Sequence, residues 1–287
     1  MKQPDALWTV QQILHASRDY LAARGVEEAR LEAEYLLSSA LGWNRLRLYT
    51  DFDMPLDASV KDAMREFIRR RGRGEPTAYI LGVREFYGLP FRVDHRVLIP
   101  RPETEHLVDE ALHALDAREA PARVLDLCTG SGCITIALAH ARPHHEYVGV
   151  DISEAALSVA EENRKNLVGA ARVSFLCGDL YEPAAEGTFD LILSNPPYIT
   201  ADELAQLHPT VRNFEPLLAL DSGDDSIAFH RRIIELGLGR LRPGGRFILE
   251  IGAGSLDALE SLAHRHELRL RMVNDLAGHP RVAVLER

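Results

Sequence analysis

The sequence predicts an α/β protein. A parallel sheet covered by helices on both faces follows a small N-terminal helical domain, and a β-hairpin joins the two. Three observations carry this. Amphipathic helix patterns alone fill the first 80 or so residues. A stretch rich in aromatic and β-branched residues, VREFYGLPFRVDHRVLI (83–99), comes next. From about residue 100, short apolar runs alternate with helix-period segments, and strict alternation of this kind places helices on both faces of a parallel sheet.

The helical part reads as three segments. Thr9 is placed to cap a helix with Val10, Ile13, Leu14 and Leu21 on one face, closed by Gly25. A second helix is predicted from about Glu27 to Leu41, with Ala29, Ala33, Leu36, Leu37 and Ala40 apolar and Gly42 as its stop. A third runs from about Asp57 to Arg71 with Val60, Met64, Phe67 and Ile68. Short amphipathic helices bury their apolar stripes on one another. The aromatic stretch has Gly88 and Pro90 near its middle, which is a hairpin signal.

The alternating part begins with RVLDL (123–127) as a strand and 132–142 as a helix. EYVGVD (146–151) is a strand, and Ser153 caps a helix with Ala156, Leu157 and Ala160. RVSFL (172–176) and FDLILS (189–194) are strands, and 226–241 reads as a helix ended by Pro243-Gly244-Gly245. RFILEI (246–251) is a fifth strand, and two more follow near 268–273 and 281–285.

Composition excludes several classes. The 287 residues are 46% hydrophobic and 26% charged, ordinary for a water-soluble chain. No apolar run approaches the roughly 20 residues that span a bilayer, and MKQPDALW lacks the apolar core of a signal peptide, so a cytoplasmic location is expected. The three cysteines, Cys128, Cys133 and Cys177, make no CxxC pair or zinc spacing, so neither a disulfide framework nor a metal is expected. A net charge of −10 disfavours direct, nonspecific nucleic-acid binding. The densest basic run, Arg69, Arg70, Arg71 and Arg73, reads as the solvated end of a helix. The chain is expected to be a monomer.

Candidate chemistry gathers at strand ends. DLCTGSGC (126–133) follows the first strand and opens a helix, with Thr129, Gly130, Ser131 and Gly132 as its turn and Cys128 before it. Glycines let backbone approach a ligand, and the helix N–H groups face it. The dinucleotide pattern G-x-G-x-x-G is incomplete, because Thr135 stands at the third position. The turn therefore suits a nucleoside better than a pyrophosphate. Asp151, at the end of the second strand, can accept hydrogen bonds from both ribose hydroxyls. Asp179, after the third, can accept from an adenine amino group with Leu180 covering the ring. The three together suggest S-adenosylmethionine.

The fourth strand ends in SNPPYI (194–199). Asn195 and Pro196 each precede a proline and are pushed to extended angles. Neither Pro196 nor Pro197 has an N–H to spend on a ladder. The result is a rigid rim with the Asn195 side-chain oxygen and the Pro196 carbonyl free to accept. Two fixed acceptors suit the two donors of a planar –NH2 group, and Tyr198 can pack on its face. Amide nitrogen is a poor nucleophile, and acceptors on both its N–H groups favour positive charge as it develops. Placement in line with a sulfonium methyl supplies the rest.

At these residues the chain resembles the class I methyltransferases of amino groups on planar systems, whose motif is (Asn/Asp/Ser)-Pro-Pro-(Tyr/Phe). It looks more closely like the bacterial protein-glutamine methyltransferases of peptide chain release factors, the PrmC/HemK family. The matching stretches are GEPTAYILGVREFYGLPFRV (74–93), LIPRPETE (98–105), DLCTGSGC, SNPPYI, FEP (214–216) and NDLAGHPRV (274–282). The resemblance implies a helical substrate-docking domain (1–82), a hairpin linker (83–99) and a Rossmann-like, S-adenosylmethionine-dependent methyltransferase domain (100–287). It implies methylation of the side-chain amide of the glutamine in the Gly-Gly-Gln loop of a release factor, with S-adenosylhomocysteine as product. Asn195 and Pro196 would hold that amide, with Pro197 and Tyr198 beside it. The cofactor would meet Cys128, Thr129, Gly130, Ser131, Gly132, Asp151, Asp179, Leu180 and Asn195, with Arg101 and Glu103 of PRPETE nearby. The family commonly has Gly where this chain has Cys128, and CTGSGC is frequent in the sister family that methylates a ribosomal-protein glutamine. NDLAGHPRV and PRPETE favour the release factor. An adenine-amino DNA or RNA methyltransferase, a noncatalytic module of the same fold and a nicotinamide dehydrogenase are the competing readings. The acidic balance, the intact motifs and the glycine spacing count against them in turn.

Overall fold

The structure, a computed structural model, describes residues 8–169, 171–252 and 254–287. It divides into two compact units. The first runs to Gly82 and also takes Pro209–Phe214; the second comprises Val83–His208 and Glu215–Arg287.

In the first unit, α1 (Val10–Ala22) starts at Thr9, whose Oγ1 accepts from Gln12 N while Gln12 Oε1 accepts from Thr9 N. This reciprocal capping box satisfies two N–H groups that a helix start leaves open. Next, α2 (Ala29–Leu41) ends on Gly42 at φ 65°, the left-handed stop that glycine adopts without strain. Short α3 (Arg47–Thr50), α4 (Ala58–Arg71) and α5 (Thr77–Leu81) complete the bundle, with Leu21, Ala33, Leu36, Leu37 and Met64 at its centre. The basic run at the end of α4 is largely neutralised: Arg69 pairs with Glu66, Arg70 with Glu75 and Arg71 with Glu32.

The second unit opens with a hairpin of β1 (Val83–Phe86) and β2 (Leu89–Arg92). Its two-residue turn, Tyr87-Gly88, has φ of 51° and 72°, the left-handed pair whose twist matches that of the flanking strands. Phe86 and Phe91 point into the unit's core. A single 3₁₀ turn (Pro102–Thr104) leads into α6 (Glu105–Asp116), β3 (Arg123–Leu127), α7 (Cys133–Ala141), β4 (Glu146–Asp151), α8 (Glu154–Leu167), β5 (Val173–Cys177) and β6 (Phe189–Ser194). After β7 (Ile199–Thr200), α9 (Ala201–Gln206) and α10 (Pro209–Phe214), the last of which belongs to the first unit, come β8 (Asp221–Gly223), α11 (Ala228–Gly237) and β9 (Leu241–Glu250). The chain ends with α12 (Leu256–Arg265), β10 (Arg269–Asn274) and β11 (Pro280–Glu286).

The main sheet has the order β10-β11-β9-β6-β3-β4-β5. The five strands from β9 to β5 are parallel, but β11 runs antiparallel to both β9 and β10, which corrects the expectation of an all-parallel sheet. The link from β10 to β11 is too short for a crossover helix, so only antiparallel pairing is open to it. A second correction concerns 226–241. The helix stops at Gly237, and Leu241 already pairs with Phe189. Pro243-Gly244-Gly245 lies within β9, where the register shifts between Phe189 and Leu191 of its partner, so those residues bulge a strand instead of ending a helix.

Alternate residues of the strands feed two apolar layers. Val124, Leu191, Leu193 and Ile248 face one, with Ile136 and Leu138; Leu125, Leu127, Ile192, Phe247 and Leu249 face the other, with Ile233 and Leu259. All six residues of β6 are buried. Asp190 in this strand accepts hydrogen bonds from Arg123 N (2.8 Å) and Arg242 Nη1 (2.7 Å) and pairs with Arg118. From β3 the chain steps outward through β4 to β5, then returns to the other side of β3 as β6. The switch point between β3 and β6 opens a crevice at their carboxyl ends, where ligands of such sheets bind. Among the described residues no helix is long and apolar enough to cross a membrane.

Candidate active site

The crevice begins with the turn after β3. Asp126 is buried, and its Oδ2 accepts from the hydroxyls of Thr129 (2.6 Å) and Thr135 (2.7 Å). Thr135 thus has a use at the position where a dinucleotide pattern would carry its third glycine. Burial, partly offset by those hydroxyls, pushes the Asp126 carboxyl up to about 6. Cys128 (φ 59°), Gly130 (φ 55°) and Gly132 (φ 77°) are all left-handed. Cys128 therefore sits in a backbone conformation that glycine adopts without strain. Burial and the Asp151 carboxylate push its thiol far up, so it lines the site as a neutral group and not as a nucleophile.

Asp151 is aligned by backbone N–H groups. Gly130 N donates to its Oδ2 (2.8 Å) and Ser153 N to its Oδ1 (2.9 Å), so each oxygen keeps acceptor capacity. Burial raises its pKa, opposed by the N–H groups of Ser153, Gly130 and Ile152. A cavity of about 210 Å³ is bounded by Cys128, Gly130, Asp151, Asp179, Leu180 and Asn195. Val97, Leu98, Leu218 and Phe229 also line it, a set that the sequence does not reveal. Asp179 is ion-paired to Arg232 (2.6 Å). A smaller cavity of about 40 Å³ reaches Arg101, Thr104, Thr129, Ser131 and again Asn195. Glu103, Gly132, Pro196 and Tyr198 line neither.

Gly132 works locally. A Cβ there would meet Phe175 Cζ at 2.9 Å and Ile136 Cδ1 at 3.0 Å. The turn is also tied from outside: Asn163 Nδ2 donates to Ser131 O (3.0 Å) and Arg92 O (3.1 Å), while its Oδ1 accepts from Arg92 N (2.7 Å). Glu215 of FEP ties LIPRPETE in the same way, accepting from Ile99 N (3.1 Å) and Arg101 Nη2 (2.6 Å).

At the end of β6, Ser194 Oγ donates to Leu127 O (2.7 Å), which joins the rim to β3. Asn195 Nδ2 donates to Thr104 Oγ1 (3.2 Å), which leaves Oδ1 as the atom available to accept. No described residue donates to the Pro196 carbonyl. Thr104 Oγ1 in turn donates to Glu250 Oε2 (2.6 Å), and Tyr198 Oη to Glu250 Oε1 (3.4 Å). The Tyr198 ring lies against Gly252. Glu250 is buried at the end of β9; burial and the charge of Glu103 raise its carboxyl to about 7, against the hydrogen bonds of Thr104 and Tyr198 and the charge of Arg281. Thr104 and Glu250 were missed, although Glu250 occupies the same kind of strand-end position that singled out Asp151. Among the described residues no cluster could hold a metal ion.

A mostly parallel sheet with this order and an antiparallel β11, a glycine turn facing a strand-end carboxylate, and Asn-Pro-Pro-Tyr at the switch point define a Rossmann-like methyltransferase. The methyltransferase small domain model matches residues 107–212, and the PrmC N-terminal domain model matches 12–82. The chain is 45% identical over 267 residues to the release factor glutamine methyltransferase of Geobacter sulfurreducens, covering 92% of each. It is 41% identical over 289 residues to that of Rhodopirellula baltica, covering 99% of this chain and 98% of the relative. The hMettl16 catalytic domain in complex with MAT2A 3′UTR hairpin 6 shares the fold, with a TM-score of 0.58 at 16% identity over 77% of this chain and 82% of that one. The protein belongs to the release factor glutamine methyltransferase family.

Proposed function

We propose that the protein transfers a methyl group from S-adenosylmethionine to the side-chain amide nitrogen of the glutamine in the Gly-Gly-Gln loop of peptide chain release factors. The observation that carries this reading is the acceptor pair at the end of β6: Asn195 with Nδ2 committed to Thr104, and Pro196 with a carbonyl to which no described residue donates. The names of relatives matched over nearly the whole chain support the substrate.

The cavity fits the cofactor's chemistry. Asp151 offers carboxylate oxygens for ribose hydroxyls, Leu180 and Phe229 offer apolar surface for a base, and Asn195 links this cavity to the smaller one. When bound, S-adenosylmethionine supplies an electrophilic methyl on a positively charged sulfur. The protein's part is to hold the acceptor. Asn195 Oδ1 and the Pro196 carbonyl take the two amide N–H groups and turn the nitrogen lone pair toward that methyl. Were the nitrogen to take the methyl, with the electron pair of the broken S–CH3 bond staying on sulfur, Asn195 Oδ1 and the Pro196 carbonyl would stabilise the positive charge growing on nitrogen. The extra proton on nitrogen would then pass to solvent water, so no strong base would be needed.

Mass spectrometry after incubation with methyl-labelled cofactor tests the reading. Release factor, ribosomal protein and DNA are offered separately, and only the release factor is expected to gain a methyl group, on its loop glutamine. Label in the ribosomal protein or DNA instead would replace the substrate assignment. Asp151→Ala is expected to weaken cofactor binding by about 10- to 100-fold, in keeping with one or two lost hydrogen bonds to a charged group. Unchanged affinity by calorimetry would refute the ribose contact.

A further inference from the structure

We propose that Thr104 and Glu250 are positioning residues that hold the Asn195 amide in the one orientation that presents its oxygen, and not its NH2, to the substrate. The inference rests on Asn195 being the acceptor of the reaction.

An Asn side chain has two nearly isosteric orientations that exchange a double acceptor for a double donor. Only one serves a substrate –NH2. Near the Asn195 amide stands the hydroxyl of Thr104, which can give one hydrogen and accept others. Thr104 alone would satisfy either orientation. The choice is made one atom further back. Thr104 Oγ1 lies 2.6 Å from Glu250 Oε2, a distance suited to a hydroxyl and a carboxylate. A carboxylate only accepts, so the Thr104 hydrogen is committed to it, and Thr104 can only accept from Asn195. That places Nδ2 on Thr104 and leaves Oδ1 for the substrate. A protonated Glu250 can instead donate to Thr104. The Thr104 hydrogen would then turn toward Asn195, and the amide would flip.

Among the described residues, the groups facing this carboxyl are the Thr104 and Tyr198 hydroxyls, the neutral Cys133 thiol and the charges of Glu103 and Arg281. His230 Nε2 meets the Glu250 backbone carbonyl at 2.7 Å, and burial lowers its pKa. Glu250 has a raised pKa, near 7. The working orientation is therefore present above the pH at which Glu250 ionises and is lost as pH falls below it.

Two readouts test this. In the first, kcat and cofactor affinity are measured for Thr104→Val, Thr104→Ser and Glu250→Gln from about pH 6 to 9. Thr104→Val is expected to lower kcat by about 30-fold, less than removal of the acceptor itself because Asn195 keeps its oxygen and loses only its fixed orientation, with cofactor affinity within about twofold. Thr104→Ser should restore most of the rate. Wild-type kcat should rise with pH through Glu250 ionisation, and Glu250→Gln should remove that rise. A Thr104→Val enzyme within about twofold of wild type, or a Glu250→Gln enzyme that keeps the rise, overturns the proposal. The second readout needs no turnover, so it stands if the substrate assignment fails. The ¹⁵N side-chain amide signals of Asn195, assigned by their loss in an Asn195 variant, should titrate with Glu250 in wild type and not in Thr104→Val. Signals that are the same in both proteins at every pH overturn the proposal.

Discussion

Asn195→Ala is expected to lower kcat by about 10²- to 10³-fold, the usual cost of removing a group that meets charge developing in the transition state. Cofactor affinity should stay within a few fold, because the ribose and glycine-turn contacts remain. The melting temperature should hardly change, since Asn195 is only half-buried and its one described hydrogen bond, to Thr104, is 3.2 Å long. Single-turnover rates and calorimetry on the same preparation separate the two effects. Turnover near that of wild type would remove Asn195 from the chemistry.

Gly132→Val should act the opposite way, through stability. The position has φ 77°, and a Cβ there would come within 3.2 Å of Phe175, Ile136 and Ala160 together. A left-handed conformation costs a branched residue about 1–2 kcal/mol, and overpacking adds about 1–3 kcal/mol. The sum, about 3 kcal/mol, should lower the melting temperature by roughly 10 °C in a chain of this size. Gly130→Val is the matched control. Its φ is 55°, but nothing lies within 4 Å of the added Cβ, and it faces the cavity. It should lose cofactor affinity with a smaller loss of stability. Equal melting of the two variants would mean that Gly132 is not a packing glycine.

These glycines show how far the sequence could be read. Both stood out in DLCTGSGC, and nothing in the spacing separates the one that lines the cavity from the one that packs. The difference lies in Phe175, which belongs to β5 and comes close only once the sheet forms. The strands themselves were legible because buried parallel strands are continuous apolar runs, and β4 and β6 fall on the residues their patterns predict. The segment near 243 was misread because Pro-Gly-Gly reads as a stop, while the structure uses it as a bulge inside β9. Asp151 and Asn195 stand out in the sequence because strand ends announce themselves. Thr104 and Glu250 do not, because their meaning lies in a contact spanning 146 residues of chain. FEP and LIPRPETE likewise looked like separate motifs until Glu215 proved to bind Ile99 and Arg101.

The anchoring of β6 has a consequence for motion. This strand is buried along its whole length, lies between β3 and β9, holds Asp190 near one end and is latched to Leu127 by Ser194 at the other. Elements of that kind exchange their amide hydrogens only through the largest openings of a protein. The proposed acceptor rim thus rides on the part of the molecule that opens last, so breathing of the surrounding loops would leave the position of Asn195 unblurred.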